Sequence, residues 1–210
     1  MIRETLVTTA AAGEAAHIAP MGIHVLDTDS KSSEADSKSS EADSKSSGAD
    51  YLIMPFRPSR TLDNVLASGC AVVNYSDDVR IFAGCLTGRL DWPLVPAERV
   101  AGWRLDGVLA HAELELSRVE DDPERPRLYF RVVHEANHAP FRGFNRAQFA
   151  VLEAAILVSR LHFLPWSKIE RELDYLRIGL DKAAGPRELE AWSWLMEAIE
   201  AHQTGREEIE

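Results

Sequence analysis

Arg57-Pro58-Ser59-Arg60-Thr61 is the sharpest chemical signal in this chain. It gathers two guanidiniums and two hydroxyls between a strand-like run, YLIMPF (51–56), and a short helical stretch, LDNVLASG (62–69). The first turn of a helix presents unpaired backbone N–H groups and a partial positive charge. An anion is stabilised there, and arginine adds bidentate, charge-assisted hydrogen bonds. The pattern is that of a phosphate cradle. In the competing reading, Ser59 or Thr61 is a plain helix cap and both arginines are surface charges. These five residues alone do not separate the two.

His134-Glu135-Ala136-Asn137-His138 matches H-E-x-x-H, which on a helix sets two histidines on one face of a zinc ion with the glutamate as base. Here the preceding RLYFRVV reads as a strand and Pro140 follows closely, so helical i, i+4 alignment is not expected and no metal is assigned. His17 and His24, each alone on a strand, read as ordinary hydrogen-bonded histidines. Cys70 and Cys85 are the only cysteines and form no C-x-x-C pair, which points to small buried side chains rather than a disulfide, a zinc site or a nucleophile. Neither G-x-G-x-x-G nor a Walker A loop occurs, so a dedicated dinucleotide domain or triphosphatase is unsupported.

The elements that must position these residues change type once along the chain. Up to about His138 the β signals dominate, in TLVTTA, HIAPMGIHVL, YLIMPF, CAVVNY, GVLAHAELELSRV and RLYFRVVHEA. Leu109, Ala110, Ala112, Leu114 and Leu116 alternate with His111, Glu113 and Glu115, the mark of an antiparallel strand with one wet face. RLYFRVV is its expected partner across the charged loop EDDPERPR. From Asn145 the spacing turns helical. Asn145 and Gln148 resemble a capping box, and Phe149, Leu152, Ala155, Ile156, Ser159 and Phe163 mark an expected apolar series, with further apolar residues on the other faces. Two more helices are expected from near Pro165 and from Pro186. Of Trp192 and Trp194, two apart on the last helix, one is expected to pack inward.

Between Asp29 and Ala49 the heptad DSKSSEA recurs, the third copy reading DSKSSGA. Its alanines offer too little to bury for a coiled coil, so it reads as a solvated loop that lengthens a hairpin connection. The chain has 210 residues, 23 basic and 34 acidic side chains and a formal charge of −11, with a pI near 5.1. That balance opposes nucleic-acid binding, where phosphates supply most of the affinity. MIRETLVTTA reads as a strand rather than a leader, and the most apolar window, Phe149–Leu164, is too short and too charged to span a bilayer. A soluble cytoplasmic protein is expected, with no membrane or nucleic-acid partner.

HIAPMG (His17–Gly22), MPFRPSRTLDNVLASGCAVVNYSDD (Met54–Asp78) and GFNRAQFAVLEAAILVSRL (Gly143–Leu161) together resemble an uncharacterised family of FMN-bound proteins with the flavin-reductase-like split β-barrel fold. The resemblance implies an α+β molecule: an antiparallel FMN-binding split barrel over 1–142, with a low-complexity insertion at 28–49, and a C-terminal three-helix extension over 143–210. It implies a homodimer with one FMN per subunit near the interface. By position, Arg57, Ser59, Arg60 and Thr61 would hold the FMN phosphate, Asn74 would lie near the ribityl chain or ring edge, and Ala19, Pro20, Met21 and Gly22 would back the isoalloxazine. Pro20 removes a ladder donor and Gly22 leaves room for a flat ring. The implied activity is a flavin-dependent oxidoreductase on a small soluble substrate, a pterin of one-carbon metabolism among the candidates. NAD(P)H would serve as a transient electron donor stacking on the flavin. The alternative is a non-catalytic flavin-binding or carrier module whose dimer surface serves a protein partner.

Overall fold

The computed structural model describes residues 1–26 and 49–207. The heptad repeats and the insertion at 28–49 lie outside the described residues, except for Ala49, which is buried. The chain divides into two compact units, the first made from Met1–Tyr75 and Leu94–His138, the second from Ser76–Pro93 and Ala139–Glu210.

The first unit is a closed antiparallel barrel. Its strands are β1 (Ile2–Thr9), β2 (His17–Val25), β3 (Tyr51–Ile53), β4 (Cys70–Tyr75), β7 (Ala110–Glu120) and β8 (Arg127–Asn137), in the order β1-β2-β3-β8-β7-β4. β1 closes on β4 with Leu6 opposite Asn74 and Thr8 opposite Val72. Branched and aromatic residues at alternate positions fill the interior, including Val7, Ile23, Ile53, Val73, Leu114 and Phe130, all at most 1% exposed. Each large apolar side chain so placed contributes about 1.5–3 kcal/mol over leaving it in water. The ends of β2 and β3 are joined by Leu26 N–H donating to the Asp50 carbonyl at 2.9 Å.

Helix α1 (Arg60–Ser68) follows β3, as the residue pattern predicts. Ser59 is its N-cap and accepts from Leu62 N–H at 3.2 Å. Gly69 ends it at φ 71°, a left-handed conformation that glycine adopts without a Cβ penalty. A small hairpin, β5 (Leu94–Pro96) and β6 (Trp103–Leu105), was not foreseen. Thr8 Oγ1 donates to the Trp103 carbonyl, and Leu105 N–H donates to Asn74 Oδ1, so the hairpin seats on the outside of β1 and β4.

One expectation for β7 fails in a useful way. His111 and Glu113, assigned to a wet face, are 1% and 0% exposed. The segment Glu98–Val100 covers them, and Glu113 accepts all three of its backbone N–H groups at 2.6, 2.6 and 2.9 Å. The face becomes solvated only from Glu115.

The second unit holds α2 (Val79–Leu86), α3 (Arg146–Val158), α4 (Trp166–Ala183) and α5 (Pro186–Glu207). The helical unit is thus larger than three C-terminal helices, because α2 contributes Val79 and Ala83 to the same core as Val151, Ala154, Ile169 and Leu195. Asn145 caps α3 by accepting from Ala147 N–H at 2.8 Å, but Gln148 does not complete the box and donates to Glu188 instead. The buried face of α3 is Ala147, Ala150, Val151, Ala154, Ala155 and Leu157, whereas Phe149 is 55% exposed, so the expected series was rotated from the true one. Trp192 packs inward, and Trp194 carries the Arg89 guanidinium 4.7 Å above its ring. Among the described residues no helix is long and apolar enough to cross a membrane.

Candidate functional site

The N-terminus of α1 is flanked by guanidiniums that diverge to two different neighbours. Arg57 Nε donates to the Asp122 carbonyl at 3.1 Å and its Nη2 to Asp121 Oδ1 at 2.6 Å, which fixes it to the β7–β8 loop. Arg60 Nη2 donates to the Ala15 carbonyl at 3.2 Å and lies 3.8 Å from Glu14, on the β1–β2 turn. Both arginines stay about half exposed, and such surface pairs contribute at most about 1 kcal/mol, so their partners are readily exchanged for a better anion. The N–H groups of the first helical turn have no acceptor within the helix, and they lie at the same end.

Two other side chains complete this neighbourhood. Arg125, not singled out from sequence, donates to the Met54 carbonyl at 3.3 Å and stacks 4.4 Å over Phe56, which is 63% exposed. The signal for Arg125 was only its place in a charged loop. His17 opens β2 beside Arg60. Burial, and then the positive charge of Arg60, lower its pKa from the usual histidine value.

The remaining expected site residues separate. Thr61 is 2% exposed, so its hydroxyl does not stand open at the helix start. Asn74 is fully buried, with its amide donating to the Leu6 carbonyl, Thr8 Oγ1 and the Val72 carbonyl and its oxygen accepting from Leu105 N–H. Every polar atom of its side chain is engaged in joining β1, β4 and β6, a barrel-closing role the sequence reading did not anticipate. On β2 the residues divide between faces. Met21 packs partly on the barrel core, while Pro20 and Gly22 lie on the outer face by strand alternation. A Cβ at Gly22 would sit 3.2 Å from Ile2 Cγ2 and 3.3 Å from Glu4 Oε1, so its missing side chain first accommodates β1.

HEANH lies on β8 and its last residue just beyond, as the strand-like RLYFRVV predicts. The register shift in the β7–β8 pairing between Glu113 and Leu114 reverses the faces of β8, so the exposed Glu135 turns toward Tyr51, whose Oη donates to it at 3.4 Å and also bonds Tyr75 Oη at 2.8 Å. Burial, reinforced by Tyr51, keeps the Tyr75 hydroxyl protonated well above the usual phenol range. His134 lies on the other face, beside His111 of β7. Burial of Glu113 works against its charge, but the three backbone N–H donors and His111 outweigh that and hold its carboxyl below the usual glutamate value. A separate shallow cavity of about 130 Å³ between α3 and α4 is lined by Arg146, Phe149, Tyr175 and Ile178 and contains none of the expected site residues.

The DUF447 N-terminal domain model, described as a protein of unknown function, matches residues 3–139, and a second DUF447 model matches residues 145–197. The chain belongs to the DUF447 family. No curated protein matches it. Among solved structures, an FMN-bound DUF447 protein from Methanosarcina mazei superposes with a TM-score of 0.72 at 19% identity, covering 94% of each chain. Nitrilotriacetate monooxygenase component B from Mycobacterium thermoresistibile gives 0.50 at 18% identity, over 68% of this chain and 72% of that one. At these identities the likeness establishes the fold: this DUF447 chain is a closed antiparallel barrel of the kind seen in those two proteins, with helices added.

Proposed function

We propose that this DUF447 protein binds FMN with its phosphate at the N-terminus of α1, and that it acts as a flavin-dependent oxidoreductase on a small soluble substrate. The observation that carries the reading is the pair of half-exposed guanidiniums, Arg57 and Arg60, at the start of α1, where Ser59 takes the Leu62 and Asp63 N–H groups and the Arg60 and Thr61 N–H groups precede them. The donors suit a phosphate dianion, which accepts through several oxygens at once. Asp121 and Glu14 are the exchangeable anions a phosphate would replace or supplement.

β2 supports the rest of the fit. From His17, beside Arg60, the strand runs to Gly22 over roughly 16 Å at about 3.3 Å per residue, a length comparable with an extended flavin mononucleotide. Pro20 and Gly22 offer the outer face of that strand as backing for a flat ring. Bound FMN would supply hydride transfer, while the chain's own residues hold the phosphate and restrict water at the ring. The homodimer, and NAD(P)H as transient donor, belong to the same proposal and rest on the family resemblance.

The test begins with a visible spectrum of the purified protein, followed by heat release and identification of any yellow cofactor. FMN at one equivalent per chain is the expected result. A colourless protein that also fails to take up added FMN would overturn the reading. Steady-state assays with NADH or NADPH and a set of acceptors, oxidised pterins included, then address the reaction. Flavin retained without turnover would identify a carrier module instead.

A further inference from the structure

β7 and the end of β8 bring His111 against two imidazoles distant from it in sequence, His134 and His138. The His111 ring centroid lies 5.6 Å from that of His134 and 5.0 Å from that of His138, the second pair stacked within 10°. His111 Nε2 is 3.2 Å from Glu113 Oε1, and one ligand atom from each of His111, Glu113 and His134 falls within 4.8 Å of the others. His134 Nε2 is buried without a hydrogen-bond partner, and Glu98 Oε1 lies 3.5 Å from it.

We propose that His111, Glu113 and His134 form a binding site for a divalent transition-metal ion, zinc in the first instance, with the Glu98 carboxylate as fourth donor at the solvent edge. Two nitrogens and two carboxylate oxygens are a donor set zinc accepts, and zinc–ligand bonds of 2.0–2.2 Å place tetrahedral neighbours about 3.3–3.6 Å apart. The 3.2 Å His111–Glu113 separation lies just short of the lower end of that edge and is longer than the 2.7–2.9 Å typical of a charge-assisted hydrogen bond. A metal also accounts for the orphaned His134 nitrogen, which a proton shared by His111 and Glu113 leaves unpaired.

The surroundings are those of an outer ligand shell. His111 Nδ1 is 2.9 Å from His138 Nε2, so an Nδ1–H donated to His138 leaves the Nε2 lone pair of His111 facing the cluster. Glu113 is held rigidly by the N–H groups of Glu98, Arg99 and Val100. This is not the H-E-x-x-H arrangement, because Glu135 is exposed and turns to Tyr51, and His138 meets His111 rather than the ion. The strand at RLYFRVV rules out a helical ligand pair, whereas the set proposed here is assembled across two strands and a loop. It does not depend on the flavin reading.

The experiment uses the full chain free of any affinity tag, stripped by a chelator and titrated with zinc chloride by calorimetry and thermal shift. One equivalent per chain and a raised melting temperature are expected. His134→Ala should weaken binding by about a hundredfold or more, and His138→Ala by about 10–100-fold as an outer-shell change. Glu135→Gln should bind as the parent does. Circular dichroism confirms that each variant is folded. Absence of stoichiometric uptake, or unchanged affinity in folded His134→Ala, overturns the proposal. So does uptake abolished by His162→Ala but not by His134→Ala, which would assign the metal to the His162–His202 pair.

Discussion

The N-terminus of α1 and the cluster around Glu113 are both charged places on one barrel, but they are built in opposite ways. At α1 the charges are half exposed and held by surface carboxylates and carbonyl oxygens. At Glu113 the carboxylate is wholly buried and bonded to three backbone N–H groups and an imidazole. The first arrangement loses little when a partner is exchanged, which is what ligand capture needs. The second is interlocked, and any change there is felt by the fold.

That contrast breaks if function and stability respond in the wrong places. The largest effect is expected from Arg57→Ala combined with Arg60→Ala. It removes two charge-assisted contacts worth about 1.5–3 kcal/mol each, so FMN affinity followed by flavin fluorescence should fall by more than a hundredfold while the melting temperature barely moves. Undiminished affinity would remove the cradle. Glu113→Gln comes next. The amide has one acceptor oxygen for donors that now meet two, and its NH₂ faces N–H groups, so chemical denaturation should show a loss of about 2–3 kcal/mol with FMN affinity retained. If stability holds instead, the cluster is not interlocked.

Smaller effects sharpen the picture at the cradle. Asp121→Asn releases Arg57 from its carboxylate, and FMN binding should tighten several-fold, within the 0–1 kcal/mol range of an exposed pair. Weaker binding would show that Asp121 positions the arginine rather than competing for it. The smallest effect concerns His17. Its folded pKa lies below the unfolded value of 6.5, so the unfolded chain binds the proton more readily. No penalty exists above about pH 6.5, and stability declines as pH falls from there through the lowered folded value. His17→Gln should flatten that part of the stability profile, and an unchanged slope would assign it to another group.

Much of the barrel was legible because its strands are read from local pattern. RLYFRVV announced a strand, which correctly kept HEANH off a helix, and Ser59 announced the start of α1. What stayed hidden depends on which segment lies over which. His111 and Glu113 alternate as a wet face should, and only the distant Glu98–Val100 segment turns them inward. Asn74 has the chemistry of a ligand contact, but four hydrogen bonds from three strands commit its amide. At the cradle the residue types were evident, whereas the divergence of Arg57 and Arg60 toward separate loops was not. Helix α2 was overlooked although Asp78 precedes an apolar run and caps it, accepting from Arg80 N–H at 3.2 Å.

The placement of α2 bears on how such a protein changes over generations. The two family models divide the sequence near residue 140, as though two modules had been joined end to end. Yet Val79 and Ala83, from the middle of the first module, sit in the core completed by α3, α4 and α5. A recombination event at that seam would hand on a barrel bearing a helix stripped of its core, and a bundle lacking one of its members. The two segments are therefore bound to be inherited together, and drift in the α2 sequence is answerable to the C-terminal helices rather than to the strands on either side of it.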